Sequence, residues 1–519
     1  MDVELLIKQG DAALHLGQFD RALQCFSQAV AASPFDPMAL RCHGVALSAL
    51  GRYEEALEYF RRAVAAWPNH PNPLCNVGTT LYKLERHEEA LLELDRALAL
   101  DPDHVHALNS RGLVLRGLER NAEALACFDR VLAINPNFAE ALNNRAIILR
   151  ALGRYEDDLA SLGRALALNP ADFAAYYNLS GALLKVGRPE EARQALDRAC
   201  ALRPQDTNAC FARAQAQLLL GDLPAGFRGF ELRWEILGKE AKADTDRPLW
   251  LGETAIEGKT ILLHGEQGLG DILQFVRYAP MVAALGARVV LRTRPPLMRL
   301  FAGMPGVAQL VSETEPLPAH DLHCPLMTLP VAFGTTVETI PAEIPYLKAE
   351  PSRVAEWKEK LGPASRPRLG LVWAGNPDLK QASIRDIPFK TLLPLLQLPA
   401  DFISLQKVID AADRPAYDRA PNLVRIGETL SDFADTAALV ENLDLVIAVD
   451  TSTLHLSAAL GRPVWLMNRL DTCWRWLTRR NDSPWYPTLR QFRQRTAGDW
   501  DGVVQDIARE LTAAGIVRP

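Results

Sequence analysis

Apolar positions over the first 236 residues fall in pairs of short runs at helical spacing, each pair split by a polar turn and closed by a proline, and the whole pattern returns every 34 residues. Three columns fix the register. Small residues recur at Gly10, Gly44, Gly78, Gly112, Ala146, Ser180 and Ala214. Prolines recur at 34, 68, 102, 136, 170 and 204, and the turn column reads Gly17, Gly51, Glu85, Glu119, Gly153, Gly187 and Gly221. Each column has a cause. A small residue lets the first helix of a hairpin approach its partner, a turn glycine supplies a left-handed cap, and proline ends the second helix. A further column holds Ala22, Ala56, Ala90, Ala124 and Ala192, with Asp158 and Gly226 in the fifth and seventh units. The expectation is an all-α solenoid of seven hairpins over residues 1–236.

Beyond Trp234 the period changes. Lys239 to Asp246 is short, polar and aperiodic, which reads as a linker placed at 237–257. Short apolar runs then alternate with helical patterns, at residues 260–264, 288–291, 369–373, 401–405, 445–449 and 463–466. Such alternation predicts parallel sheets built of strand–helix–strand units. Two α/β domains are expected, at 258–350 and 351–495, followed by a C-terminal helix at 496–519.

Composition narrows the function classes. A length of 519 residues suits about three domains. A formal net charge of -6 with no Lys/Arg-rich run argues against nucleic-acid binding and against a basic membrane patch. No apolar stretch reaches spanning length, and Met1-Asp2-Val3-Glu4 is acidic where a signal peptide needs basic residues. The eight cysteines are scattered with no C-x-x-C pair, which fits a reducing compartment. A cytoplasmic protein without stable membrane insertion is expected; homo-oligomerisation stays open.

Ligands of parallel sheets bind beyond the carboxyl ends of strands, so the strand-to-helix loops carry the candidate chemistry. The first is His264-Gly-Glu-Gln-Gly-Leu-Gly-Asp271, where Gly265, Gly268 and Gly270 permit close backbone approach and Asp271 stands at the helix start. Taken alone, Asp271 reads as a helix N-cap, worth about 1 kcal/mol. The spacing is not that of a dinucleotide fold. Gly258-Lys259-Thr260 precedes its strand, with Gly252 one residue out of register, so an NTPase is rejected. The second loop is Val449-Asp450-Thr451-Ser452-Thr453-Leu454-His455, a strand end running into hydroxyl residues at a helix start. Free N–H groups and hydroxyls there suit a diphosphate, whereas a multiply capped helix with His455 packed inside is the structural alternative. Asp244-Thr245-Asp246 lies in the linker, and His320-x-x-His323-Cys324 lacks a matching ligand group and reads as a strand edge, so no metal site is assigned. A basic, aromatic segment with Arg469, Trp474, Arg475, Trp476, Arg479, Arg480, Trp485 and Tyr486 either lines the cleft or clamps the tail.

The repeat columns resemble the tetratricopeptide (TPR) repeat, whose concave face is lined by the first helix of each hairpin. The groove position reads Lys8, Cys42, Asn76, Ser110, Asn144, Asn178 and Ala212. Its Asn-Val-Gly, Asn-Arg-Ala and Asn-Leu-Ser stretches are similar to the asparagine ladder of the TPR part of O-GlcNAc transferase, so Asn76, Asn144 and Asn178 are expected to hold the backbone of a protein acceptor. Gly268-Leu-Gly-Asp-Ile-Leu273, followed by Val449-Asp-Thr-x-x-x-His455-Leu-x-Ala-Ala-Leu-Gly-x-Pro463, resembles bacterial heptosyltransferases of glycosyltransferase family nine. Joined to the repeats, it resembles bacterial TPR-containing protein glycosyltransferases, including those that modify flagellin. The resemblance implies a GT-B fold of two Rossmann-like domains, the first on the acceptor side and the second binding the donor. It implies an inverting, metal-independent transfer from a nucleotide-sugar donor to Ser/Thr hydroxyls, with no cofactor beyond that donor. Asp271 would be the base. Gly268, Gly270, Asp450, Thr451, Ser452, Thr453 and His455 would hold the donor, joined by Gly375, Asn376, Lys380 and Arg385 in a second phosphate-side loop and by Gln406 at the base or ribose. Heptosyltransferases lack such repeats, so heptose and lipopolysaccharide do not carry over, and a non-catalytic scaffold or a lipopolysaccharide-type transferase are the alternatives.

Overall fold

The computed structural model describes residues 2–238, 245–375 and 385–517. Asn376 and Lys380, and Asp244 of the linker, lie outside the described residues. The chain divides into two compact units, Met1–Ala182 and Leu183–Pro519.

The first unit is all-helical. Its hairpins are α1 (Val3–His15) with α2 (Phe19–Ala32), α3 (Pro37–Ala49) with α4 (Tyr53–Ala66), and α5 (Pro71–Lys83) with α6 (His87–Leu100). Then come α7 (Val105–Gly117) with α8 (Asn121–Ile134), α9 (Ala139–Ala151) with α10 (Tyr155–Leu168), and the start of α11 (Phe173–Lys185). The small-residue column works as the pattern predicts. A methyl built on Gly10, Gly44 or Gly112 would stand 2.3–2.6 Å from the ring of Phe26, Phe60 or Phe128, sixteen residues on, and at Gly78 it would meet Leu94 at 2.5 Å. The turn column is left-handed throughout, with φ between 58° and 89° at Gly17, Gly51, Glu85, Glu119, Gly153, Gly187 and Gly221. A column not read from the sequence caps the first helices: Asp2, Asp36, His70, His104, Asp172 and Asp206 each accept a backbone N–H of the first turn. The first helices α1, α3, α5, α7 and α9 also pack successively on one another, which places them on the inner face.

The second unit begins inside α11 and so takes in the last helices of the repeat pattern. It comprises α12 (Pro189–Leu202), α13 (Thr207–Leu219), α14 (Leu223–Phe230) and α15 (Arg233–Leu237), then parallel sheets. Among the described residues, β1 (Thr260–His264), β2 (Arg288–Thr293), β3 (Gln309–Ser312) and β4 (Leu322–Pro325) form one sheet, ordered β3-β2-β1-β4. Strands β5 (Arg368–Val372), β6 (Asp401–Ser404), β7 (Leu423–Arg425), β8 (Leu445–Ala448), β9 (Val464–Asn468) and β10 (Leu489–Arg493) form the other, ordered β10-β9-β8-β5-β6-β7. The strands read from sequence are β1, β2, β5, β6, β8 and β9, all interior. Those it missed as strands, β3, β7 and β10, lie at sheet edges, as does β4, read only as a strand edge. A strand flanked on both sides and covered on both faces needs a continuous apolar run, whereas an edge strand does not.

One hydrophobic cluster unites the last repeat helices with the sheets. Leu218, Leu223, Phe227 and Phe230 share it with Phe275, Tyr278, Trp474 and Trp485. Phe227 stands edge-on to Trp474 at 5.5 Å and to Phe275 at 6.2 Å. That shared core is why α13 and α14 belong with the sheets. At the other end, the helix Trp500–Ala513 lays Val503, Val504, Ile507 and Leu511 on the second sheet's core.

The close-approach column yields a direct test. Gly112→Ala is expected to cost about 1–3 kcal/mol, because the buried Phe128 ring cannot retreat without strain. Urea denaturation of the two proteins measures it, and an unchanged midpoint would remove the packing explanation.

Candidate functional site

Strand β1 ends at His264, and after four residues the chain enters α16 (Leu269–Phe275). The loop between them is fixed by Glu266. Its carboxylate takes two bonds from Arg233, Nε to Oε2 at 3.0 Å and Nη2 to Oε1 at 2.9 Å, and a third from the backbone N–H of Met327 at 3.2 Å. Arg233 is 1% exposed and also reaches Glu231 at 2.6 Å and Thr328 at 2.8 Å. A guanidinium this deep needs such a full set of acceptors.

Asp271 occupies the third position of α16 and caps the helix from there, reaching back to Gly268 at the N-cap. Its Oδ2 accepts the Gly268 N–H at 2.8 Å, and its Oδ1 pairs with Nη2 of Arg475. The carboxylate and guanidinium are 16% and 11% exposed. Arg475 also donates Nε to Gln274 Oε1 at 2.9 Å and Nη1 to Cys473 Sγ at 3.1 Å, and lies 4.2 Å over the Trp474 ring. Burial opposes its charge, but Asp271, Cys473 and Asp450 together hold it above its usual range, so it stays a cation.

The second loop leaves β8 and meets the first. Asp450 is 22% exposed, with His455 Nε2 3.5 Å from its Oδ1. Burial would raise the Asp450 carboxyl, yet His455 and Arg475 hold it well below the usual carboxylate range. His455 stacks on Trp476 at 5.2 Å, and its Nδ1 lies 2.9 Å from the Tyr486 hydroxyl. Burial lowers the His455 pKa and keeps the Tyr486 hydroxyl protonated. Tyr486 therefore donates to Nδ1, and the neutral ring turns Nε2–H toward Asp450. A methyl on Gly270 would stand 3.0 Å from the His455 ring and 3.6 Å from Ser452 Cα, so the two loops lie in close contact at this glycine.

The helix Ser452–Ala459 begins with Thr451 as an extended N-cap whose side chain makes no cap bond; its hydroxyl donates to Val449 O at 3.2 Å instead. Ser452 and Thr453 are half-buried. Uncapped first-turn N–H groups at the carboxyl edge of a parallel sheet can receive an anion.

Strand β5 neighbours β8, so its loop emerges at the same edge. Gly375 donates its N–H to Asp386 at 2.8 Å, and the Arg385 guanidinium lies across it, 2.7 Å from where a methyl would be. Gln406 is engaged elsewhere: its Oε1 accepts from Trp373 and Ala374 N–H at 3.3 and 3.2 Å, and its Nε2 donates to Val408 O at 3.1 Å. Both ends of its amide tie the β5 and β6 loops together, leaving neither directed at a base or ribose. In the basic, aromatic segment, Trp474, Trp476, Trp485 and Tyr486 are buried, while Arg479 is 79% exposed beside Glu190 at 3.1 Å. Arg475 alone of its arginines reaches the Asp271 carboxylate among the described residues. Its sequence signal was a cation set between two tryptophans. Gln274 and Arg233 had none, because their partners lie far along the chain.

In the first unit, Asn144 is buried and donates to Asn109 Oδ1 at 3.3 Å, while Ser110 in the same column bonds Thr79 at 2.9 Å. Asn76 and Asn178 are half-buried, and neither side chain hydrogen-bonds another group among the described residues; Asn178 only accepts Arg150 at its backbone oxygen, at 2.7 Å. The ladder therefore presents two free amides, with Asn144 serving the solenoid itself. A surface cavity of about 360 Å³ lined by Thr245–Arg247 and Leu317–His320 shares no residue with either loop.

A tetratricopeptide-repeat family model matches residues 7–71, 78–137, 111–164, 143–207 and 182–237. Protein FlbA of Caulobacter vibrioides is 28% identical over 329 residues, covering 58% of this chain. The chain spans about half (54%) of the length of that curated relative. Among solved structures, the chain is similar to the APC/C hetero-tetramer Cut9–Hcn1, with 18% identity, 41% of this chain and 43% of that chain covered, and a TM-score of 0.40. It is also similar to YrrB, described as a TPR protein with an unusual peptide-binding site, with 22% identity, coverage of 36% and 97%, and a TM-score of 0.30.

His264, at the mouth of the first loop, sets a pH dependence. Burial, with His323 at 3.2 Å and Arg292, lowers its pKa to about 3. Folding thus favours the neutral ring. Its stabilising contribution is complete above the ordinary value near 6.5 and declines as pH falls toward about 3, at about 1.4 kcal/mol per unit. Stability measured by urea denaturation should fall less steeply over that window in His264→Gln than in the parent. Identical slopes would show that His264 does not titrate differently on unfolding.

Proposed function

We propose that this protein, whose tetratricopeptide repeats lead into a region of parallel sheets, is an inverting, metal-independent glycosyltransferase. It moves a sugar from a nucleotide-sugar donor to Ser/Thr hydroxyls of a protein acceptor held in the repeat groove, and its two sheets act as the halves of a GT-B enzyme. The observation that carries the reading is the meeting of two loops from different sheets at Gly270, with the Asp271 carboxylate on one side and the uncapped start of Ser452–Ala459 on the other.

The chemistry follows from that pairing. The acceptor hydroxyl gives its proton to Asp271 as its oxygen attacks the anomeric carbon from the face opposite the nucleotide. The bond from that carbon to the phosphate oxygen breaks, and the electron pair leaves on the phosphate. First-turn N–H groups of Ser452 and Thr453, with the Arg475 and Arg385 cations, receive the growing charge. Asp450 and Tyr486 fix the neutral His455, which supports Gly270 beneath the donor. Asn76 and Asn178 offer donor and acceptor groups to an extended acceptor backbone. The engagement of both Asp271 oxygens favours a second reading, a non-catalytic scaffold that retains a nucleotide sugar.

A thermal-shift screen against nucleotide sugars should find a donor that raises the melting temperature, since a ligand of the native state stabilises it. Intact-mass analysis of a co-expressed acceptor should then show a sugar-sized adduct. Asp271→Asn should lower transfer about 100-fold or more while the donor still shifts the melting temperature. Undiminished transfer by that variant excludes Asp271 as the base, and donor binding with no adduct on any acceptor leaves the scaffold.

A further inference from the structure

The Asp271–Arg475 pair poses a chemical problem for the function proposed above. One carboxylate oxygen is on a guanidinium and the other on a backbone N–H, whereas a base must present a free oxygen to the hydroxyl it deprotonates. Yet Arg475 is not held at its other positions as firmly. Its Nη1 points to a thiol sulfur, a poor acceptor, and its Nε to the Gln274 amide oxygen. The amide nitrogen of Gln274, fully buried, has no hydrogen-bond partner among the described residues. Arg475 thus has one charged acceptor, Asp271, beside two neutral ones, and an anion with several oxygens would compete for it.

The backbone that carries Arg475 is pinned on both sides. Trp474 packs on Phe227 at 5.5 Å and Phe230 at 5.9 Å, and Trp476 stacks on His455. Beyond them Leu477 stands at a φ of 52°, and its carbonyl is held by Arg493 at 2.9 Å. With the turn pinned, the guanidinium, 11% exposed and within the field of both Asp271 and Asp450, could reach a donor only by turning about its own side-chain bonds.

We propose that Arg475 is an exchangeable counter-ion: it holds Asp271 when no donor is present and turns to the diphosphate of the donor when one binds, freeing the base only once the donor is seated. This rests on the reading that the two loops hold a nucleotide-sugar donor. A guanidinium binds a phosphate through two parallel N–H bonds, and a diphosphate offers more charge than one carboxylate. Donor binding and base activation thereby become one event, and Arg475 is a positioning residue for Asp271 as well as a ligand of the leaving group. The engagement of Asp271, which favoured the scaffold reading, becomes the resting state of the enzyme.

Loss of a repelling carboxylate alone would tighten anion binding with or without Arg475, whereas the exchange requires the gain to vanish once Arg475 is removed. Inorganic pyrophosphate is titrated calorimetrically into the full-length protein and into Asp271→Asn, Arg475→Gln, Arg475→Lys and the Asp271→Asn/Arg475→Gln double variant. Asparagine keeps an oxygen for the Gly268 N–H but drops the competing charge, so Asp271→Asn should bind pyrophosphate about tenfold tighter than the parent. Arg475→Gln should bind at least about tenfold more weakly, and the double variant should match it with no gain from the asparagine. Arg475→Lys, which keeps the charge, should recover part of the loss and serves if the glutamine variant does not fold. A folded Asp271→Asn protein with unchanged or weaker affinity overturns the exchange while leaving the donor site intact. Failure of the parent to bind either pyrophosphate or any nucleotide sugar removes the donor site itself.

Discussion

Arg233 is a charge taken almost wholly out of water, and the second unit is organised around keeping it paired. It stands just after α14 and reaches across to Glu266, Glu231 and Thr328, so one side chain joins the last repeat helices, the glycine loop and the segment after β4. A buried ion of this kind contributes little net stability over an apolar replacement, but loss of one partner leaves a charge with no solvent. The geometry is thereby strongly restricted. Glu266 cannot move without breaking two of the hydrogen bonds of Arg233, and with Glu266 fixed, Gly268, Gly270 and Asp271 are presented in one arrangement. The aromatic contacts of Phe227 and Phe230 with Trp474 fix the opposite side of the same region.

Between those two anchors the candidate site is a small network of alternating charge. Asp271 and Asp450 come from different sheets, and Arg475 lies within the field of both. His455 is kept neutral by burial and oriented by Tyr486, which lets it pack against Gly270 without adding a second cation. The result is a region where a single positive charge faces two carboxylates and an uncapped helix start. An incoming anion would compete with both carboxylates for Arg475 and draw on the free N–H groups of the helix start.

The solenoid was legible because its physics is local. Gly10 and Phe26, or Gly112 and Phe128, stand in contact within one hairpin, and the turn residues impose their left-handed φ on their own. The interior strands were legible for a related reason: burial on both faces demands an apolar run such as Thr260–His264 or Leu445–Ala448. The edge strands β3, β7 and β10 carry no such demand, and their assignment comes from pairing with a neighbour. Of the site, the two loops could be read, since a glycine-rich turn and a hydroxyl-rich helix start are themselves the chemical signal. Gln406 shows the converse. Its position past β6 matched a ligand contact, but the free N–H groups of Trp373 and Ala374 bind its amide first.

What the sequence by itself determined is therefore the repeat register, the alternation of strand and helix, and the two loops, each set by interactions between residues close along the chain. Tertiary structure alone decided the rest. It placed the unit boundary inside α11, because α13 and α14 share a core with the sheets. It drew Asn144 into the solenoid and left Asn76 and Asn178 free. It set Arg475 on Asp271, a pairing across 204 residues that no local pattern encodes, since which cation meets a carboxylate depends on how the chain folds back and on what else is buried there.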